Sequence, residues 1–143
     1  MLIFYCPVGQ KPNGGHKVIY KTVESLNNYG VKSYIFHEIQ NYKLKWFKYT
    51  SEVKFTNKIT SSSHIVIPEV SLLNINKNIF FNSYSILVQN GYLIFNDCEG
   101  KKSYKKLKNL YSKAKKIYCV SPDTAQFVIE QFPKIKKKGD SYL

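Results

Sequence analysis

Apolar residues come in short blocks along this chain, and the spacing inside each block changes from one to the next. The first is Leu2-Ile3-Phe4-Tyr5-Cys6, which stops at Pro7 and gives way to a glycine-rich loop, Pro7-Val8-Gly9-Gln10-Lys11-Pro12-Asn13-Gly14-Gly15. From His16 to Tyr29, Val18, Ile19, Val23 and Leu26 recur at helical spacing among Lys17, Lys21 and Glu24. That predicts an amphipathic helix, with Gly30 at the position where a C-terminal glycine ends one. Val31–Phe36 is again β-rich, so the opening 36 residues predict strand, helix, strand, a parallel βαβ unit. A strand followed by a glycine-rich loop and a helix N-terminus directs backbone N–H groups and the positive helix end at one crevice, an arrangement suited to an anion.

The pattern loosens from His37 to Ser63, where only Trp46-Phe47, a weak strand candidate at Val53–Phe55 and the loop Ser61-Ser62-Ser63 stand out. Two further strands follow, His64-Ile65-Val66-Ile67-Pro68 and Ser85-Ile86-Leu87-Val88-Gln89, with a short helix predicted between them. Over residues 101–116 and just beyond, Tyr104, Leu107, Tyr111, Ala114 and Tyr118 follow a three-four spacing that predicts one helical face. Ile117–Val120 reads as a strand, Ser121-Pro122-Asp123 as an N-cap with proline at the first helical position, and Thr124–Phe132 as a helix. Lys134 to Leu143 reads as a frayed tail or the start of a linker.

Strands near residues 2, 31, 64, 85 and 117 predict an α/β, Rossmann-like, doubly wound and mainly parallel sheet with helices on both faces, one domain over 1–133. Such sheets bind ligands outside the carboxyl ends of their strands. That rule selects Gly14, Gly15, His16, Glu38, Glu69, Gln89, Asn90, Gly91 and Ser121. Glycines there admit close backbone approach, and His16 reaches the same ligand. Glu69 is the candidate base or hydroxyl acceptor, Gln89 and Asn90 offer amide donors and acceptors, and Tyr92 offers an aromatic platform.

Composition trims these options. With 43% hydrophobic and 15% aromatic residues the chain is not of disordered type, and it has no apolar stretch near the roughly 18 residues of a membrane span. The N-terminus lacks a basic n-region, so a cytoplasmic location is expected. Cys6, Cys98 and Cys119 have no C-x-x-C spacing and read as packed thiols, with no metal site. His16, His37 and His64 have no metalloenzyme spacing, and no serine or cysteine has an evident base, which argues against a self-contained hydrolase.

The formal charge of +13 comes entirely from 22 lysines with no arginine. Without a guanidinium fork, base-specific nucleic-acid recognition is disfavoured, while attraction to anions remains. Eight of these lysines fall within 101–116, a stretch with no acid, and Lys101, Lys102, Lys105, Lys106, Lys108 and Lys113 form a basic outer face. It reads as a solvated helix face or as a surface for an anionic membrane, with RNA a third option.

Pieces of the chain resemble, in order, the N-terminal domain of GT-B fold bacterial glycosyltransferases of the cell-surface polysaccharide type. They are P-V-G-Q-K-P-N-G-G-H at 7–16, Trp46-Phe47, H-I-V-I-P-E at 64–69, I-L-V-Q-N-G-Y at 86–92 and Y-C-V-S at 118–121. The resemblance implies transfer of sugar from a nucleotide-sugar donor to a glycan or lipid-linked acceptor, with this chain on the acceptor side. It implies a second Rossmann-like domain, in cis or in trans, to hold the donor, because the family's paired donor-side glutamates have no counterpart here. The chain alone is then half an enzyme with no cofactor of its own; the lysine face would add peripheral attachment to the inner face of the membrane to the expected cytoplasmic location. Two other readings stay open. One is a dinucleotide-binding domain using Glu38, although P-x-G-x-x-x-x-G-G departs from G-x-G-x-x-G. The other is a noncatalytic basic module acting through the lysine helix.

Overall fold

A computed structural model describes residues 1–9, 11–76, 79 and 82–138. Its elements are β1 (Leu2–Tyr5), α1 (Gly14–Asn28), β2 (Ser33–Phe36), β3 (His64–Pro68), β4 (Ser83–Val88), α2 (Gly100–Lys113), β5 (Ile117–Cys119) and α3 (Pro122–Gln131), with 3-10 turns at Glu69–Ser71, Gly91–Leu93 and Pro133–Lys138. The strands form one five-stranded sheet in the order β2-β1-β3-β4-β5, and β1 pairs in parallel with both β2 and β3, as β4 does with β5. The fold is therefore α/β, Rossmann-like and doubly wound, since the chain steps from β1 to β2 in one direction and builds the rest of the sheet in the other. Among the described residues no helix is long and apolar enough to cross a membrane.

Outside β2 a single residue extends the sheet. Phe55 bridges Ile35 in parallel, with Ile35 N–H donating to the Lys54 carbonyl at 2.8 Å and Thr56 N–H to the Ile35 carbonyl at 2.9 Å. Counting that bridge as a rudimentary third strand, the chain order across the sheet becomes 3-2-1-4-5-6, the order typical of dinucleotide-binding sheets.

The chain divides into two compact units, Met1–Val66 with Asn76–Asn82, and Ile67–Ile75 with Ser83–Leu143. In the first, Ile3, Ile19, Tyr20, Val23, Ile35 and Ile65 are at most 2% exposed and form the core. In the second, Ile67, Ile86, Val88, Leu107 and Tyr111 do the same. Each such aliphatic side chain contributes about 1.5–3 kcal/mol on leaving water. The stacked pair Tyr111–Phe132, with ring centroids 4.1 Å apart, joins α2 to the end of α3.

Local chemistry explains where the helices begin and end. α1 starts at Gly14, two residues before His16, because the Asn13 side chain accepts from Gly15 N–H at 2.8 Å and caps the helix there. The two glycines are thus its first turn and not part of the loop. At the other end Gly30 takes φ +80, Val31 N–H reaches the Leu26 carbonyl and Gly30 N–H the Asn27 carbonyl, the Schellman pattern that its glycine predicts. α3 starts as expected, with the Ser121 side chain accepting from Thr124 N–H at 3.2 Å and Pro122 in the first turn. The helix expected between β3 and β4 is the 3-10 turn Glu69–Ser71. In the tail, residues 133–138 form 3-10 turns, and residues 139–143 lie outside the described residues, as does Gln10 in the first loop.

The segment that was opaque in sequence, residues 37–63, gathers aromatic rings on Tyr20. Phe47, Tyr49 and Phe55 all meet its ring edge-on at centroid distances of 5.3, 5.0 and 5.7 Å. Glu24 ties the same segment to α1, accepting from Lys21 at 2.6 Å and from Thr50 N–H at 2.7 Å. These bonds pull its carboxyl down to about 2.

Candidate functional site

In the first unit the loop after β1 is held from behind. The Tyr42 hydroxyl accepts from Gly9 N–H at 3.3 Å and donates to the Gly9 carbonyl. The His16 ring lies so close to Gly9 that a Cβ at residue 9 would come within 2.5 Å of His16 Cε1. Gly9, and not Gly14, is therefore the position where a side chain would have to displace a neighbour, the His16 ring: a Cβ on Gly14 would meet nothing within 4 Å. His16 is buried, its Nδ1 has no hydrogen-bond partner among the described residues, and burial lowers its pKa.

His37 follows β2 and is committed at both nitrogens. Nδ1 lies 2.7 Å from the Cys6 carbonyl and Nε2 lies 2.8 Å from the Tyr20 hydroxyl. A carbonyl can only accept, so Nδ1 carries the proton and Nε2 accepts from Tyr20. Tyr20 in turn accepts from Leu44 N–H at 3.1 Å, which closes the chain of bonds. Burial holds His37 down to about 4, against the opposing effect of the Cys6 bond. Glu38 is exposed, and its Oε1 accepts from the Tyr5 hydroxyl at 2.7 Å and from Asn76 N–H at 3.1 Å. A cleft of about 310 Å³ opens beside this end of β2, between residues 35–43 and 55–57.

The second unit gathers most of the other candidates. Glu69 follows β3 and is only 4% exposed; its Oε1 accepts from Asn90 N–H at 2.9 Å, and its Oε2 is buried with no partner among the described residues. Burial raises its pKa, partly offset by the amides of Gln89 and Asn90. The Tyr111 hydroxyl is likewise buried and unpartnered, and the Glu69 charge adds to the burial that raises its pKa. Asn90 passes the constraint outward. Its side chain accepts from Tyr92 N–H at 3.0 Å and caps the turn Gly91–Leu93, while Gly91 packs so tightly that a Cβ would come within 3.0 Å of the Phe127 ring. The result is Tyr92 standing 88% exposed, its ring 6.0 Å from that of Phe127.

Tyr92 is on the rim of a cleft of about 450 Å³ beyond the carboxyl ends of β4 and β5, lined also by Gln89, Asn90, Val120, Ser121, Asp123, Thr124, Gln126 and Glu130. The sequence singles out Gln89, Asn90, Gly91, Tyr92 and Ser121, and the structure brings them to this one cleft. Glu69 lies behind Asn90 and is not among the lining residues. What residue-by-residue reading missed is the α3 wall. Asp123, Gln126, Phe127 and Glu130 are spaced i, i+3, i+4 and i+7, so one helix face carries them, and the periodicity could have revealed it. Among the described residues the lining has two carboxylates and no lysine, and Gln126 donates to Glu130 at 2.7 Å. The lining's amides, hydroxyls and carboxylates can match a neutral ligand rich in hydroxyls, which both donate and accept.

On α2 the six candidate lysines, Lys101, Lys102, Lys105, Lys106, Lys108 and Lys113, are all exposed, while Leu107 and Tyr111 are buried. Lys106 donates to the Leu73 carbonyl at 3.1 Å, and Lys108 Nζ lies 5.2 Å from the Tyr104 ring centroid. Cys6 and Cys119 are buried and Cys98 half-buried, all free, and burial pushes the first two thiols up to about 12 and about 11. Among the described residues no group of three or more His, Cys, Asp or Glu side chains could hold a metal. No protein-family model, curated protein or solved structure matches this chain.

Proposed function

We propose that this chain is the acceptor-side domain of a GT-B type glycosyltransferase, binding a glycan or the sugar of a lipid-linked acceptor in the cleft beyond β4 and β5. The observation that carries the reading is Tyr92, 88% exposed on a capped turn at the rim of a cleft whose other polar groups are amides, hydroxyls and carboxylates. An exposed ring on a rigid mount is a platform for the apolar face of a sugar, and the surrounding groups match its hydroxyls. The ordered resemblance of 7–16, Trp46-Phe47, 64–69, 86–92 and 118–121 supplies the reaction class. In this reading a nucleotide-sugar donor is held by a second Rossmann-like domain, in cis or in trans, and residues 1–143 bind acceptor without turning over.

Glu69 then acts through Asn90 and not on substrate, because its one partnered oxygen faces the Asn90 amide. Exposure of all six α2 lysines supports an accompanying attraction to the anionic inner face of a membrane, at about 1 kcal/mol per lysine near the surface.

The test is affinity for a panel of neutral bacterial-type oligosaccharides, measured by saturation-transfer NMR on the full chain and on Tyr92→Ala. The expected result is binding of at least one glycan, weakened about tenfold by the substitution. No glycan bound by the wild type, or equal binding by both proteins, would overturn the reading.

A further inference from the structure

The cleft at the carboxyl end of β2 differs in chemistry from the one beyond β5. Its floor is Ile35 and Phe55, the pair that bridges the sheet edge, and its rim carries Gln40, Asn41, Lys43 and Asn57. Among the described residues no carboxylate lines it. The first unit's acids within the described residues are Glu24, Glu38 and Glu52. Glu24 is paired with Lys21, and Glu38, between two lining residues in sequence, turns its Oε1 to Tyr5 and Asn76. Lys43 has no ion pair among the described residues, and its ammonium is 5.0 Å from the Phe55 ring centroid, which holds it at the cleft.

The backbone on the rim is also specialised. Asn41 has φ 60, the one positive value among the described non-glycine residues, and Tyr42 N–H closes the turn on the Ile39 carbonyl at 3.2 Å. Asparagine is among the residues that tolerate this conformation, and positions held there recur at ligand sites. The two aromatic or imidazole groups behind it are already committed: Tyr42 to Gly9, and His37 to Cys6 and Tyr20. That leaves one unpaired ammonium and three exposed amide side chains facing a cavity of about 310 Å³, at the low end of the range for small-molecule sites.

The geometry points to a second ligand site here, for a small phosphate-bearing molecule whose phosphate is held by Lys43 and whose remaining polar groups meet Gln40, Asn41 and Asn57. The site does not depend on glycan binding in the other cleft. Its ligand is anionic where that cleft, with Asp123 and Glu130, disfavours anions.

The test is an amide-shift NMR titration of the full chain with inorganic phosphate, glucose 6-phosphate and, as the neutral control, glucose. Shifts are expected at Gln40–Lys43 and Thr56–Asn57 with both phosphates and not with glucose. Lys43→Met should weaken them about tenfold to a hundredfold. Lys43 and Asn57 are exposed, so Lys43→Met and Asn57→Ala keep the fold. Lys105→Glu with Lys108→Glu, which removes charge on α2, should leave the titration unchanged. Equal affinities for the two phosphates would identify the free anion as the ligand, and tighter binding of the ester a phosphorylated sugar; both support the site. Absence of shifts, shifts confined to α2, or a titration unaltered by Lys43→Met would overturn it.

Discussion

His37→Gln should flatten the acid side of this chain's stability profile. In the unfolded chain His37 takes up a proton near the ordinary value of about 6.5, whereas the folded chain resists until about 4. Between those values the unfolded state binds more protons, so acid drives unfolding. The stability attached to neutral His37 is complete above about 6.5 and is lost as pH falls towards about 4. At about 1.4 kcal/mol per pH unit the interval corresponds to about 3 kcal/mol, a large part of a small domain's stability. The structural cause is the fixed tautomer: Nε2 must stay unprotonated to accept from Tyr20. The assay is urea unfolding at a series of pH values between 4 and 7.5. Because burial lowers His16 and raises Glu69 as well, the quantity to compare is the wild-type minus His37→Gln difference, in which those contributions cancel. A difference that grows by about 3 kcal/mol from pH 4 to 7 is expected. Parallel profiles would show that His37 carries no such proton linkage, as would an NMR titration of wild-type His37 with its midpoint near 6.5.

Three other perturbations have definite signs. Gly9→Ala must displace His16 and should cost about 1–3 kcal/mol in urea unfolding, whereas Gly14→Ala, in open space in the first helical turn, should be neutral or stabilise by up to about 1 kcal/mol. Glu69→Gln keeps an acceptor for Asn90 N–H and relieves a buried carboxylate; it should be at least as stable as wild type at pH 7, while Glu69→Ala should lose about 1–3 kcal/mol and weaken glycan binding by loosening the Tyr92 turn. Since Glu69 is raised by burial, its folded form holds a proton longer than the unfolded one, so the stabilising effect of Glu69→Gln should grow as pH rises above about 4.5. Lys105→Glu with Lys108→Glu should reduce sedimentation with phosphatidylglycerol vesicles, and added salt should do the same to the wild type.

Much of the sheet was legible because parallel strands buried on both faces read as short apolar runs, and those near residues 2, 64, 85 and 117 were unmistakable. Helix ends were legible where one residue type determines them, as Gly30 and Ser121 do. The start of α1 was misread because two glycines suggest a loop, while the capping side chain is Asn13 just before them. Residues 37–63 gave little because what orders them is non-local: rings converge on Tyr20, and Phe55 adds to the sheet by a single bridge too short to show alternation. For the same reason the β2 cleft could not be foreseen, nor could the need for glycine at residue 9, which arises from His16 folding back on it. The β4–β5 cleft was half legible. Its loop wall follows from what lies just after each strand, and its α3 wall needed the helix periodicity to be applied to polar as well as apolar positions.

The most direct test of the central claim is an amide-shift NMR map of the full chain with a neutral oligosaccharide that it binds. Shifts are expected to concentrate at Asn90–Tyr92, Ser121, Asp123 and Gln126–Phe127 and to fade in Tyr92→Ala, with residues 40–43 unaffected. Shifts scattered over the surface, or centred anywhere other than that cleft, would contradict the claim.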